Sequence, residues 1–271
     1  MVNRDELEQY LADLYQFDKF DDYCRNGIQV EGREHIHRAV FGVSFNRPLL
    51  ETAIEREADA IFVHHGFFGR DHFLLKAHRK EAVRRLLLHD INLFGIHLPM
   101  DAHPQIGHNA LLLEALGAEV ESPLFVGFFG RNKGQLTVDQ MLDRFEELLH
   151  PEREGEEGRK SRIKGLMNED FSYFERYGFG VLKNGPDIPQ KIVVVSGGGA
   201  SDYETAIFQG ADTFICGEMK EYVPALSMES GTNFINLGHY YSETPGVRKL
   251  LEHLEREFKI NGEYVEIGNV I

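Results

Sequence analysis

The stretch ADAIFVHHG, residues 58–66, decides the fold class of this chain. Its apolar run ends at His64, His65 and Gly66. A short run of β-branched and aromatic residues closed by glycine predicts a buried strand. Two adjacent imidazoles at the end of such a strand favour a metal or catalytic role, because each buried ring nitrogen needs a partner. The alternative is a structural histidine pair satisfied within the core.

The segments on both sides of this strand predict a parallel sheet. Residues 39–45 and 91–96 read as strands, and residues 47–58 and 77–89 read as the helices between them. Strand, helix and strand in alternation form the unit of a parallel α/β sheet. Ligands of such sheets bind at the carboxyl ends of the strands, where the histidine pair is placed.

Composition narrows the partners of the protein. The 271 residues carry a formal charge of −15, from 44 acidic and 29 basic residues, which argues against binding to nucleic acids or anionic membranes. The two cysteines, Cys24 and Cys216, are far apart and in no metal-type spacing, which argues against a disulfide framework and a cysteine-based zinc site. The first residues lack the apolar core of a signal peptide, and no apolar run is long enough to span a membrane, so a cytoplasmic protein is expected.

An internal repeat predicts two similar α/β halves. ETAIEREAD at 51–59 matches ETAIFQGAD at 204–212 at six of nine positions, and HLPMD at 97–101 matches HYYSE at 239–243 in type and spacing. We therefore predict an α/β fold with an internal duplication, whose mixed, mostly parallel sheets face a shared metal cleft. The first half spans residues 1–125, with C-terminal elements as candidates to complete it. The second spans 126–271, with a charged connector at 151–164.

Six side chains just past predicted strand ends form the candidate site. Histidine and carboxylate ligands without cysteine suit Zn²⁺, Mn²⁺, Fe²⁺ or Ni²⁺. The set exceeds the three protein ligands of one catalytic zinc, which favours two divalent metal ions per chain. The alternative is that some of these residues are solvated loop residues. The candidates are His64, His65, His97, Asp101, His239 and Glu243.

Two further features of the sequence each fit two alternative roles. Gly197, Gly198 and Gly199 lie between a predicted strand and a helix, where backbone N–H groups can bind a phosphate or simply form a tight turn. Glu218 occupies the position of His65 in the repeat. It is either an acid that orients a ligand histidine or a turn residue.

Six segments spread along the chain are specific when taken together: NGIQVEG (26–32), ADAIFVHHGFF (58–68), INLFGIHLPMDAHP (91–104), VVSGGGASD (194–202), GADTFICGE (210–218) and GHYYSE (238–243). They resemble the GTP cyclohydrolase I type 2 homologues, also called the Nif-three-like dinuclear-metal proteins. The resemblance covers nearly the whole chain and implies a Nif-three-like fold of two related α/β domains. It also implies a ring-shaped homohexamer with metal sites facing its cavity.

The resemblance also implies roles for the candidate residues. His65 and Asp101 would hold one ion, and His64 and His239 would hold the other, with Glu243 bridging the two. His97 would lie beside the ions as the catalytic residue for proton transfer or orientation.

The expected function is that of a dinuclear-metal hydrolase acting on a nucleotide-like or other small phosphorylated substrate. The family name points to opening of the imidazole ring of GTP. The competing hypothesis is a non-catalytic, metal-binding hexameric scaffold or metal chaperone.

Overall fold

A computed structural model describes residues 1–67, 69, 74–151 and 179–269. The chain divides into two compact units. The N-terminal unit comprises Met1–Ile106 and Gly246–Gly268, and the inserted unit consists mainly of Gly107–Pro245. The sequence places this boundary near residue 125, and most of the predicted connector at 151–164 lies outside the described residues.

The N-terminal unit is built on a five-stranded sheet in the order β13-β4-β5-β6-β2. Strands β13, β4, β5 and β6 run parallel, and β2 closes one edge antiparallel to β6. Its strands are β1 (Val2–Asn3), β2 (Gly27–Val30), β3 (His35–Ile36), β4 (Arg38–Ser44), β5 (Ala60–His65), β6 (Asn92–Gly95) and β13 (Asn261–Tyr264). Its helices are α1 (Arg4–Tyr15), α2 (Arg47–Glu55), α3 (Ala77–Leu88), α4 (Leu98–Asp101) and α10 (Thr244–Phe258), the last of which begins at the unit boundary.

Buried side chains hold this sheet from both faces. Phe41, Phe62 and Phe94 are paired across β4, β5 and β6, and neighbouring rings stack with centroids 4.8 and 4.6 Å apart. The opposite face contributes Ile61 and Leu93 to a core shared with α2 and α3. The predicted buried strand is therefore confirmed, with side chains packed on both of its faces.

The inserted unit has a sheet in the order β7-β8-β10-β11-β12-β9. Its centre, β10-β11-β12, is parallel, and the remaining pairs are antiparallel. Its strands are β7 (Glu119–Leu124), β8 (Gly127–Arg131), β9 (Gly180–Lys183), β10 (Lys191–Val195), β11 (Thr213–Cys216) and β12 (Asn233–Asn236). Its described helices are α5 (His108–Ala115), α6 (Val138–Leu149), α7 (Tyr203–Phe208), α8 (Val223–Ser230) and α9 (His239–Ser242).

The repeat seen in the sequence has matching structural roles in the two units. Asp59 accepts the backbone N–H groups of His37 and Arg38, which start β4, at 2.8 Å. Asp212, its counterpart, accepts those of Gln190 and Lys191 at the start of β10, at 2.7 and 3.1 Å. In each unit the aspartate before one strand thus fixes the start of its parallel neighbour.

A second repeated residue fixes the antiparallel edge. Asn92 starts β6, accepts the N–H of Gly32 at 2.7 Å and donates to the carbonyl of Arg33. Asn233 starts β12, accepts the N–H of Gly185 at 2.8 Å and donates to the carbonyl of Pro186. These paired contacts support the predicted internal duplication, and the α/β class with mixed sheets is confirmed.

In the middle of the chain, the residue pattern predicts two strands, at residues 125–129 and 135–138, and both predictions are wrong. Residues 135–138 are not a strand, because Asn132 binds both backbone groups of Leu136 and Thr137 forms a capping box with Gln140 that starts α6. Residues 125–129 are not one continuous strand either. Phe125 has a φ of 53° and is exposed in the turn between β7 and β8.

None of the helices in the described part of the chain combines the length and the apolar character that crossing a membrane requires.

Candidate metal centre

The end of β5 carries two imidazoles held by different partners. His64 is fully buried, and its Nδ1 donates to the carbonyl of Ile96 at 2.9 Å. Because a carbonyl only accepts, the Nδ1 atom of His64 carries the proton and its lone pair lies on Nε2. His65 Nδ1 lies 3.0 Å from Oγ of Ser44, the residue opposite it on β4.

Gly66 lets the chain turn directly after this pair. A Cβ at Gly66 would stand 2.2 Å from Nε2 of Gln29, well inside any allowed contact. The Gln29 side chain occupies that space, accepts the N–H of Phe67 at 2.6 Å and donates to the carbonyl of Arg25 at 2.7 Å. A larger residue at position 66 would displace the Gln29 side chain from these two contacts, through which β2 supports the backbone that presents His65.

His97, which follows β6, is oriented by a buried carboxylate. Its Nδ1 donates to Oδ1 of Asp22 at 2.9 Å. Asp22 also accepts the N–H groups of Cys24 and Leu98 and the side-chain amide of Asn26, at 2.9 to 3.0 Å. Four donors thus fix a carboxylate that is only 4% exposed, and the carboxylate fixes the imidazole.

This contact shifts the pKa values of both partners. Burial lowers the pKa of His97, but the hydrogen bond and charge of Asp22, together with Cys24, outweigh it and raise this pKa to about 10. Burial raises the pKa of Asp22, but hydrogen bonds from His97, Cys24 and Asn26 outweigh it and hold this pKa below its usual value. The metal-free protein therefore holds an imidazolium–carboxylate pair at neutral pH.

The three candidate histidines of the N-terminal unit lie close together. Ring centroids lie 4.6 Å apart for His64 and His65, 5.0 Å for His64 and His97, and 5.7 Å for His65 and His97. One nitrogen of each ring lies within 4.8 Å of the others, and Asp101 Oδ2 stands 3.6 Å from His64 Nε2. Three imidazoles and one carboxylate form a donor set that fits a borderline divalent metal ion such as zinc, manganese or iron.

The inserted unit holds its own histidine between two acids. His239 Nδ1 donates to Oε1 of Glu218 at 2.5 Å. On the other side of the ring, Nε2 lies 3.1 Å from Oε1 of Glu243, one helical turn further along the chain. Burial lowers the pKa of His239, but Glu243 and then Glu218 outweigh it and raise this pKa to about 9. Glu218 is thus an acid that orients the histidine, one of its two predicted roles.

Gly197 brings the backbone after β10 against this pair. Its φ is +60°, and a Cβ there would stand 2.2 Å from Oε1 of Glu243 and 3.1 Å from Nε2 of His239. The N–H of Gly197 donates to Oγ of Ser242 at 3.0 Å. The glycine at this position is therefore needed for close packing on the carboxylate.

Each unit brings together its own share of the candidate residues. The N-terminal unit gathers His64, His65, His97 and Asp101, and the inserted unit pairs His239 with Glu243. His97 is predicted to lie beside the site. One of its ring nitrogens lies within 4.8 Å of ring nitrogens of His64 and His65, which are expected ligands.

Sequence reasoning missed Asp22 and Ser44, the partners of His97 and His65. They precede those histidines by 75 and 21 residues, and no local motif connects them. The polar sequence AHPQIGHN at residues 102–109 predicts that His108 is a solvated loop residue, but His108 is fully buried in α5.

Histidines and carboxylates at the ends of parallel strands, in two related α/β units, define an α/β protein with a candidate metal centre. The profile of the Duf34/NIF3 (NGG1p interacting factor 3) family matches residues 2–269. The chain belongs to this family, and the resemblance seen in the sequence is confirmed.

Curated relatives carry the name GTP cyclohydrolase 1 type 2 homolog. That of Haemophilus influenzae is 33% identical over 274 residues, which cover 99% of each chain. That of Escherichia coli K12 is 33% identical over 269 residues, which cover 97% of this chain and 98% of the relative.

Solved structures agree in fold. Protein ybgI, described as of unknown function, has a TM-score of 0.84, and TTHA1606 from Thermus thermophilus has one of 0.83. Both are 28% identical to this chain and match it over the full length of each chain.

Proposed function

We propose that the protein is a hydrolase that depends on two divalent metal ions and acts on a nucleotide-like or other small phosphorylated substrate. The observation that carries this proposal is shared by His64, His97 and His239. Each donates its Nδ1 proton to a fixed acceptor. This contact sets the tautomer and ring orientation that a metal-binding Nε2 requires in His64 and His239 and that a proton-transferring Nε2 requires in His97.

The proposed ligand assignment follows the family resemblance. His65 and Asp101 would hold one ion, His64 and His239 would hold the other, and Glu243 would serve both. Zinc, manganese, iron and nickel all suit this donor set. Two such ions, when bound, supply Lewis acidity and lower the pKa of a water molecule towards neutrality.

The residues of the chain provide orientation and proton transfer. Asp22 holds His97 at Nδ1, which directs Nε2 towards the neighbouring histidines as the atom that exchanges a proton with substrate. Glu218 holds His239 in the same way. Gly197 allows the backbone to approach Glu243, which keeps the carboxylate in one position.

GTP is the first substrate to test, because the relatives are named for GTP cyclohydrolase. We further propose a homohexamer in the cytoplasm, in keeping with the family resemblance and with two cysteines that remain free thiols. The charge of −15 favours small anionic substrates bound at cations over nucleic acid bound at a basic surface.

The first experiment measures metal content per chain and hydrolysis of GTP and other nucleotides, with and without chelator. We expect two ions per chain and turnover that the chelator abolishes. His65→Ala and Glu243→Ala should each remove most of the metal while circular dichroism stays unchanged. Unchanged metal content in both variants would refute the ligand assignment. Two ions without turnover on any nucleotide would instead favour the non-catalytic scaffold or metal chaperone.

Gly197→Ala and Gly198→Ala form a matched pair that tests the same site. A Cβ at Gly198 meets its nearest atom at 3.7 Å, whereas one at Gly197 overlaps Glu243. We expect Gly197→Ala to lower metal affinity about 10- to 100-fold, as the loss of an orienting contact does elsewhere. Gly198→Ala should leave it unchanged, and equal affinities in the two variants would contradict the role given to Gly197.

A further inference from the structure

The loop that orients His97 also brings a thiol to the same place. Cys24 follows Asp22 by two residues, and its N–H donates to Oδ1 of Asp22 at 2.9 Å, the oxygen that accepts from His97. A backbone bridge to Gly69 fixes Cys24 from the other side. The thiol is therefore positioned by two contacts of its own backbone.

The three side chains form a cluster of metal-binding atoms. One carboxylate oxygen of Asp22, Sγ of Cys24 and one ring nitrogen of His97 all lie within 4.8 Å of one another. Thiolate, imidazole and carboxylate together form a donor set for zinc and softer divalent ions, and three protein ligands leave one tetrahedral position open. The histidines at the end of β5 contribute no sulfur, so this cluster differs from them in chemistry.

Burial and access fit a bound ion. Asp22 and His97 are 4% and 8% exposed, so their ligand atoms are largely shielded from water, while Cys24 is partly exposed. A cavity of about 830 Å³ in the N-terminal unit is lined by Asp22, Cys24 and Asn26. An ion can therefore reach the cluster from the Cys24 side.

We propose that Asp22, Cys24 and His97 form an accessory site for one thiophilic divalent cation, zinc or cadmium, in addition to the two-metal centre. Binding forms bonds from the metal to Sγ and to one ring nitrogen of His97, and it releases the thiol proton and the proton of that nitrogen to solvent. His97 has two ring nitrogens and lies between the accessory cluster and the β5 histidines. A cation in the accessory site therefore restrains the side chain that the proposed hydrolase uses for proton transfer.

The test titrates Cd²⁺ into the full-length protein already loaded with two equivalents of Zn²⁺. We expect a further equivalent to bind and to produce the ultraviolet charge-transfer band of a cadmium–thiolate bond. Cys24→Ser should lose this band and the further equivalent, while the first two ions remain. A band of equal intensity in Cys24→Ser, or no band in the unsubstituted protein at saturating Cd²⁺, would overturn the proposal.

The second cysteine provides the control. Cys216 is 1% exposed, and burial raises the pKa of its thiol to about 12, so it should not bind cadmium. Cys216→Ala should therefore keep the band. Retention of the first two ions in Cys24→Ser separates a failure of the accessory site from a failure of the two-metal centre.

A second measurement needs no variant. Alkylation of Cys24 by N-ethylmaleimide, followed by peptide mass spectrometry, should slow at least tenfold when a third equivalent of Zn²⁺ is added. An unchanged rate of alkylation would count against the accessory site even if the Cys24 variant failed to fold.

Discussion

At the scale of single residues, each candidate histidine has a partner at its Nδ1 atom. The partner of His64 is the backbone carbonyl of Ile96, and the partner of His65 is the hydroxyl of Ser44 on the neighbouring strand β4. His97 and His239 take carboxylates, Asp22 and Glu218. A carboxylate favours the charged imidazolium and makes the neutral ring more basic, so these two rings bind protons in competition with metal.

Asp22 is the residue whose replacement should reveal this balance. In Asp22→Asn the new amide NH₂ would face donors where a carboxylate oxygen accepts, and a buried ion pair would be broken. We expect a loss of about 3–5 kcal/mol in the free energy of unfolding of the metal-free protein near pH 6. Chemical denaturation measures it, and the exposed Asp18→Asn should change little.

The sign of the pH dependence follows from the two shifts. The pKa of His97 is raised to about 10 in the folded protein, so its contribution is complete below about pH 6.5 and is lost as the pH rises through 10. The pKa of Asp22 is lowered, so its contribution is present above about pH 3.9 and is lost as the pH falls through the folded value. The effect of Asp22→Asn should therefore be largest between about pH 4 and pH 6.5 and should shrink towards pH 10. A constant difference across this range would show that the ion pair is not its source.

At the scale of elements, the parallel centre of each sheet is fixed by one aspartate and one asparagine, which occupy equivalent positions in the two units. Asp59 and Asp212 hold the start of one strand, and Asn92 and Asn233 hold the turn beside the antiparallel edge. Both asparagines are fully buried, so each of their hydrogen-bonding partners would lose its contact without gaining water.

Asn92→Ala and Asn233→Ala should therefore destabilise the protein to a similar extent. Each buried polar group left unsatisfied costs about 1–3 kcal/mol. Asn261→Ala is the matched control, because Asn261 also begins a strand, β13, but is exposed. Thermal unfolding followed by circular dichroism should show a fall in Tm for the first two and none for the third. If Asn261→Ala lowers Tm as much as the other two substitutions, the loss of stability comes from removing any asparagine at a strand start and not from losing the buried hydrogen bonds of Asn92 and Asn233.

The elements differ in how well the sequence predicts them. The sequence of residues 138–149 predicts a helix, and α6 has these bounds. The histidines after β5, β6 and β12 are predicted because a polar residue after a buried strand is a local signal. Asp22 and Ser44 are not, since only the folded sheet brings them to their histidines. The strand predicted at residues 125–129 begins too early because the left-handed turn at Phe125 leaves no pattern in apolar spacing.

At the scale of the whole chain, the N-terminal unit is discontinuous. Strand β13, from the end of the chain, pairs parallel with β4 from Asn261–Arg38 to Tyr264–Phe41. Nε of Arg56, at the end of α2, lies 2.7 Å from Oε2 of Glu263 on β13, and this ion pair also holds β13 to the N-terminal unit. The sequence names C-terminal elements only as candidates to complete the first half and does not identify the strand, because pairing between distant segments depends on tertiary contacts.

A chain shortened to end at Phe258 tests how much β4 depends on that partner. We expect the amides of β4 to exchange with deuterium much faster in the shortened chain, because its edge hydrogen bonds are lost. The amides of β11 in the inserted unit should keep their protection. A chain ending at Gly268 retains β13 and serves as the control. Equal protection of β4 in both truncated chains would show that the edge strand contributes nothing to its stability.

The late position of β13 also has a consequence for synthesis on the ribosome. Residues 45–260, which include the inserted unit, emerge after β4 and before β13, so 216 residues are translated in the interval. At about 5–20 residues per second, the nascent chain carries an unpaired edge on β4 for about ten seconds or more. An uncovered strand edge is a template for pairing with other chains. The inserted unit can fold in that interval. The edge of β4 in the N-terminal unit stays unpaired, and open to chaperones, until β13 has been synthesised.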